Sequence, residues 1–210
     1  MELIGYLPLT EIRKKRKTDG LFTEWAEWAS HNCDSARVQI GEGTIIYPGV
    51  VIYADSTIGK YCILFHNVLI RERVRIGDKV KIGSNSSVER DAIIEFNVRI
   101  SSDTKIGEEC IIKSGAFIGN NVTFSCDRYP PSNIVDPIII EEEATIGAGV
   151  CLCPGVRVGR GVIVGVGAVV TKNLPSGYVY YGNPATPQMT IHEFEQKKQQ
   201  YLQERPHVHL

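Results

Sequence analysis

Residues 40–69 read IGEGTI IYPGVV IYADST IGKYCI LFHNVL when broken every six residues, and each block opens on Ile or Leu. The same spacing runs on through Ile70, Ile76, Ile82, Val88, Ile94, Ile100, Ile106, Ile112, Ile118 and Phe124, fifteen anchors without a miss. Four residues after each anchor stands a small or β-branched residue, from Thr44 and Val50 to Ala116 and Val122. Three residues after it, ten of the fourteen positions from Gly43 to Asn121 are Gly, Asn or Asp, the residues that tolerate positive φ. Two inward sites and a turn in every six residues do not fit the 3.6-residue period of a helix. They describe short strands joined by tight corners, each coil of chain stacked on the last: an all-β solenoid.

The pattern resumes at Ile140 and passes through Ile146, Leu152, Val158, Val164 and Val170, with turn sites at Glu143, Gly149, Gly155, Gly161, Gly167 and Asn173. The interval from Phe124 to Ile140 is not a multiple of six, so residues 125–139 are expected to leave the coil as an inserted loop. The loop contains CDRYPPSN, whose paired prolines cannot continue a sheet ladder. The solenoid therefore covers residues 40–185, between an N-terminal cap at 1–39 and a C-terminal helix and tail at 186–210. In the cap, LFTEWAEWA at 21–29 places Leu21, Trp25 and Trp28 on one face of a short helix, suited to covering the open first coil. At the other end, Thr190-x-x-Glu193 is a capping box that opens a helix over TIHEFEQKKQQYLQE, with His192 facing solvent and HVHL at 207–210 as a tail.

Composition narrows the function by exclusion. The chain of 210 residues is 43% hydrophobic and 22% charged with a formal net charge of −1, the profile of a soluble globular protein without a surface for nucleic acid or anionic lipid. The one basic run, RKKRK at 13–17, lies beside Glu11 and Asp19 and reads as a solvated face. No apolar run approaches the roughly 20 residues of a membrane span. MELIGYLPLT lacks a signal layout, so the cytoplasm is expected. Of six cysteines, Cys62 and Cys110 fall on small inward positions, and the C-x-C at Cys151 and Cys153 has no second pair, so no metal site is expected.

The [LIV]-G-x-x-[STAV]-x repeat resembles the hexapeptide-repeat acyltransferases, whose fold is a left-handed parallel β-helix with three blocks to the coil. FSCDRYPP at 124–131 is similar to the F-T-N-D-x-Y-P-R loop of that family's nucleotide-amino-sugar N-acetyltransferases, departing from it at Ser125, Cys126 and Pro131. The ending VGVGAVVTKNLPSGYVYYGNPA looks like the family's last coil and exit. The resemblance implies a homotrimer with active sites between subunits, acetyl-CoA as acyl donor, and a nucleotide-linked amino sugar or other small molecule as acceptor.

With three blocks per coil, residues 18 apart stack at strand spacing, about 4.8 Å. His66, the sole histidine between residues 32 and 191, then shares an outward corner column with Pro48, Ser84, Ser102 and Asn120. Other blocks carry Pro, Ala, Lys, Ser, Glu or Asn at this position, so geometry does not demand histidine there. A free imidazole titrates near neutrality, which suits a general base. Members of the family commonly carry such an outward histidine, although some amino-sugar enzymes use no protein base. His66 is thus read either as catalytic or as a corner or subunit contact. The next column, Gly49, Asn67, Asn85, Asp103 and Asn121, suits left-handed turns; Asn85 is also a catalytic candidate and Asn67 a substrate-binding one. Asp127 matches the family's acidic loop residue and is the third catalytic candidate, with Tyr129 placed against sugar or CoA. For the cofactor, the resemblance puts pantetheine near Gly147, Gly165 and Ala168, glycine allowing close approach to backbone, and makes Arg160 and Lys172 candidates for the CoA phosphates; turns do not require Gly147 or Gly165, which also belong to the family's ordinary second-position pattern, and solvated charges explain Arg160 and Lys172 equally. The reading is an acetyl-CoA-dependent N-acetyltransferase. Its alternatives are O-acetylation of a hydroxyl and a non-catalytic trimeric scaffold; one internal histidine argues against a metal hydratase.

Overall fold

A computed structural model describes residues 38–132 and 134–204. The expected N-terminal helix, the basic run at 13–17 and the tail at 207–210 lie outside these described residues. Each six-residue block folds as a two-residue strand that ends on the anchor, as in Ile45–Ile46, Val51–Ile52, Thr57–Ile58 and Ile63–Leu64, followed by a four-residue corner. Every strand pairs in parallel with the strand one coil on: Ile46 faces Leu64, and Leu64 faces Ile82. Three blocks therefore make one coil. The result is a left-handed parallel β-helix, a three-sided prism. A first sheet of seven strands starts at Gln39–Ile40, a second of nine at Ile45–Ile46, and a third of seven at Val51–Ile52.

The core follows the two inward positions of the repeat. From Val50 onward the anchors and the residues four places after them are buried, while the anchor Ile40 on the first coil remains 43% exposed. The polar residues among them keep their hydroxyls bonded. Ser56 Oγ donates to Arg71 O at 2.7 Å and accepts from Val74 N at 3.2 Å; Thr104 Oγ1 donates to Gly119 O at 2.8 Å and accepts from Val122 N at 3.3 Å. Inward hydroxyls are tolerated because each closes such a pair to the next coil.

All fourteen turn positions from Gly43 to Asn121 have positive φ, including Tyr61, Arg73, Lys79 and Glu109, residue types that local preference alone would not place there. The repeat overrides local preference. Among the later sites, Asn173 departs from expectation. It is absent from the positive-φ turns, and its Oδ1 instead accepts from Arg157 N at 2.8 Å. The last coil is short: Val164 pairs with Tyr180, two positions sooner than the repeat would place its partner.

The excursion joins the third sheet to the first. Across it Ile112 pairs with Ile140, where an uninterrupted repeat would bring Pro130, so the excursion lengthens one coil by the ten positions between them. Strand resumes at Ile139, one residue earlier than expected, and Ile138 is already fully buried. Beyond the last coil the chain makes a hairpin that the repeat did not foretell. Tyr178–Tyr181 joins the second sheet in parallel, and Thr186–Thr190 returns antiparallel beside it. A helix over Ile191–Glu204 follows, entered through the expected capping box: Glu193 N donates to Thr190 Oγ1 at 3.2 Å and Thr190 N donates to Glu193 Oε2 at 2.7 Å. His192 is exposed on it.

Candidate active site

The prism has three edges, and the corner residues give each a different character. The edge between the third and first sheets is charged. Arg73 holds Asp91 through two hydrogen bonds of 2.7 and 2.6 Å, and Arg90 holds Glu108 at 2.8 Å one position over. The carboxyl of Asp91 is kept below its ordinary range by that bond to Arg73. The edge between the first and second sheets mixes signs, with Lys60, Asp78, Glu142 and Arg160. The edge between the second and third sheets is nearly neutral: its two outermost columns run Pro48, His66, Ser84, Ser102, Asn120, Ala148, Val166 and Gly49, Asn67, Asn85, Asp103, Asn121, Gly149, Gly167.

His66 stands exposed on this neutral edge, in the corner that follows Ile63–Leu64. Its ring lies 4.9 Å from that of Tyr47, tilted by 49°, and Tyr47 in turn stacks on Phe65 at 5.2 Å. The backbone beneath is fixed, since Asn85 N donates to His66 O at 2.9 Å. The imidazole is thus packed on one side and open on the other. Beside it, Asn67 Nδ2 donates to Asn85 Oδ1 at 3.2 Å, and Asn85 Nδ2 donates to Asp103 Oδ1 at 3.2 Å. This ladder gives Asn67 and Asn85 structural work at φ of 58° each, and leaves each amide one further N–H proton.

The other candidates lie elsewhere on the chain. Asp127 and Tyr129 belong to the excursion, on the edge between the third and first sheets. Asp127 organises the loop: its carboxylate accepts from Ser132 Oγ at 2.5 Å, Ser132 N at 2.8 Å and Tyr129 N at 2.9 Å. The bonds from Ser132, side chain first, hold this carboxyl below its usual range and keep it ionised. Tyr129 is 78% exposed. Lys172 shares that edge, while Arg160 lies between the first and second sheets, and both are exposed. Gly147, Gly165 and Ala168 share the edge of His66, with Gly165 five rungs away, about 24 Å at strand spacing.

A Cβ on Gly147 would lie 2.7 Å from Val166 N, and one on Gly165 would lie 2.8 Å from Tyr181 Cβ. The missing side chains make room for the next coil, so an approaching ligand is not what requires them. Ala168 is fully buried in the core and offers no side chain to the surface.

One group escaped the sequence reading. Glu141, 7% exposed, pairs with Lys113 Nζ at 3.0 Å and with the Arg157 guanidinium. Burial pushes its carboxyl up, but Lys113 and Arg157 together outweigh that and leave it below the usual range. It lines a cavity of about 380 Å³ with Arg157, Arg160, Asn173 and Ser176. The column joining Lys113 to Glu141 becomes legible only when the length of the excursion is known.

Two family models match the chain, "Bacterial transferase hexapeptide (six repeats)" over residues 37–71 and "Hexapeptide repeat of succinyl-transferase" over residues 137–172. Both are models of the six-residue repeat, and together they span about a third of the chain. Among curated relatives, the chain is 27% identical over 195 residues to the bifunctional protein GlmU of Exiguobacterium sp., covering 78% of the chain and 43% of that protein. It is 50% identical over 56 residues to the 2,3,4,5-tetrahydropyridine-2,6-dicarboxylate N-acetyltransferase of Staphylococcus aureus, covering 27% and 23%. The chain thus spans less than half the length of these relatives. Its fold is similar to that of AntD, an N-acyltransferase from Bacillus cereus, solved with dTDP-4-amino-4,6-dideoxyglucose and coenzyme A. The TM-score is 0.60 at 20% identity, over 71% of this chain and 91% of that one. A second AntD complex, with dTDP and coenzyme A, gives 0.51 at 19% identity over 79% and 92%. Among the described residues, no group of three or more His, Cys, Asp or Glu could hold a metal ion, and no helix is long and apolar enough to cross a membrane.

Proposed function

We propose that the protein is an acetyl-CoA-dependent N-acetyltransferase acting on the amino group of a nucleotide-linked amino sugar, working in the cytoplasm as a homotrimer. The observation that carries this reading is the open face of His66 on the one nearly uncharged edge of the prism, with small residues continuing from it to Val166. Such an edge suits an extended thioester, with pantetheine passing the backbone at Gly147, Gly165 and Ala168. Arg160 and Lys172 supply positive charge for the CoA phosphates where neighbouring subunits bring the other edges close. The names of the relatives support the same chemistry: N-acetyl transfer in one, and an amino sugar with coenzyme A bound in another.

The reaction needs a neutral amine, a polarised thioester carbonyl and a route for one proton. In this reading the amine nitrogen attacks the acetyl carbon, His66 takes the proton released from nitrogen, and the C–S bond breaks as that proton passes to the departing CoA sulfur. The N–H of Asn85 not used by Asp103 is available to the developing oxyanion, and Asn67 to a sugar hydroxyl. Asp127, held ionised, accepts a hydrogen bond from the neutral amine of the acceptor at the loop of an adjacent subunit, and Tyr129 packs against the sugar. In one chain His66 and Asp127 lie on different edges, so the reading requires subunits to meet.

The test is release of CoA thiol from acetyl-CoA with amino-sugar and hydroxy-sugar nucleotides as acceptors. Turnover with the amine acceptor is expected. His66→Ala is expected to lower kcat by about 10²-fold or more, the usual worth of a positioned base. Turnover only with hydroxyl acceptors would replace N- by O-acetylation, for which a base is closer to a necessity, and failure to bind acetyl-CoA in calorimetry would leave a scaffold.

A further inference from the structure

The neck of the excursion is closed by sulfur. Cys110, fully buried on an inward position of the coil below, lies with its Sγ 3.5 Å from the Sγ of Cys126, the second residue of the excursion. The same Cys110 sulfur accepts a hydrogen bond of 3.3 Å from the backbone N–H of Ile138, where the chain re-enters the coil. Asp136 N donates to Cys126 O at 2.7 Å between these two contacts. One buried sulfur therefore touches both ends of the loop. Gly107 makes the room: a Cβ there would lie 2.2 Å from Cys126 Sγ and 3.4 Å from Cys110 Sγ. Cys126 is partly exposed and Cys110 is not, so an oxidant in solution meets Cys126 first.

We propose that Cys110 and Cys126 form a reversible disulfide that clasps the neck of this excursion when the protein meets a hydroperoxide. The Cys126 thiolate attacks one peroxide oxygen, the O–O bond breaks, and Cys126 becomes a sulfenic acid as hydroxide leaves. The Cys110 sulfur then attacks the Cys126 sulfur, forming the S–S bond while the S–OH bond breaks. The Cys110 proton leaves with that oxygen as water. Two thiols are oxidised and one hydrogen peroxide is reduced to two waters; a small dithiol reverses the step. The hydrogen bond from the Cys110 thiol lowers the pKa of Cys126 and, with burial, raises that of Cys110, an order that suits Cys126 as the first to react and Cys110 as the resolving thiol. The proposal is independent of the acyl-transfer reading.

The experiment exposes the folded full-length chain to hydrogen peroxide, alkylates the remaining thiols in denaturant, digests with trypsin and reads the peptides by mass. Cleavage after Lys105, Lys113 and Arg128 puts Cys110 and Cys126 on peptides 106–113 and 114–128, and Cys151 and Cys153 together on 129–157. The expected product is the cross-linked pair 106–113/114–128, absent before peroxide, lost on treatment with dithiothreitol and lost in Cys126→Ser. Recovery of 114–128 as a sulfinic acid, its linkage to 129–157, or alkylation of both Cys110 and Cys126 after peroxide would each overturn the proposal. Cys126→Ser changes a partly exposed residue and leaves the Ile138 bond to Cys110 in place, so its folding is checked by an unchanged circular dichroism spectrum.

Discussion

Two glycines, Gly147 and Gly149, separate the two reasons why this chain uses glycine. Gly147 is crowded: Gly147→Ala puts a Cβ 2.7 Å from Val166 N, against backbone that cannot swing away, and is expected to destabilise by about 1–3 kcal/mol. Gly149 is open, with nothing within 4 Å of an added Cβ, but its φ is +67°. Gly149→Ala is expected to cost only about 1–2 kcal/mol, the strain of a left-handed residue. Urea midpoints of the two variants measure the difference. At Asp127 the side chain matters through its charge. Its carboxyl titrates below the ordinary value because Ser132 and Tyr129 donate to the ionised form. A group depressed in the folded state gives its contribution in full above its unfolded pKa of about 3.9 and loses it as pH falls through the lower folded value. Hydrogen exchange over residues 127–132 is expected to stay slow at neutral pH and to quicken only below the usual carboxylate range. In Asp127→Asn it is expected to be fast throughout, without that step.

At the level of elements, the strands were legible because each is one sample of the same six-residue rule, repeated until chance is no explanation. Corners such as Tyr61 and Lys79 were legible for the same reason, though neither residue favours positive φ by itself. What stayed hidden needed a length that no period contains. The extra length of the excursion fixes which side chains meet across it, so the contact of Lys113 with Glu141 could not be read in advance. The short last coil and the hairpin of Tyr178–Tyr181 with Thr186–Thr190 arise where the repeat stops, and pairing there is decided by the open edge of the second sheet. Of the candidate site, the outward placement of His66 was legible from its register, whereas the engagement of Asp127 by Ser132 depends on how the loop folds back on itself. The C-terminal helix is an independent case. It buries no residue, so Thr190→Ala, which removes one partner of its capping box, is expected to cost about 1 kcal/mol of helix stability. Exchange along Ile191–Glu204 should rise while the melting temperature of the solenoid is unchanged.

Across the whole molecule, charge is sorted by edge: ladders such as Arg73 with Asp91 and Arg90 with Glu108 occupy one side, and His66 stands on another that carries almost none. This sorting is possible because residues one coil apart share a column, so sequence position maps onto height and direction. The shared column has a consequence for insertions and deletions. The chain is a screw: a step of one whole coil is a pure translation of about 4.8 Å, whereas a step of one block is a rotation through a third of a turn. Removing residues 76–93 would join Arg75 to Ile94, keep every anchor inward, and slide the excursion one rung towards His66 on an unchanged heading. That variant is expected to fold with the same circular dichroism per residue as the parent. Removing residues 76–81 would keep the core pattern just as well, yet would turn His66 onto a different edge from Gly165. The two deletions are thus expected to be alike in stability and unlike in acetyl transfer, because in a screw a part can keep its fit while losing its direction.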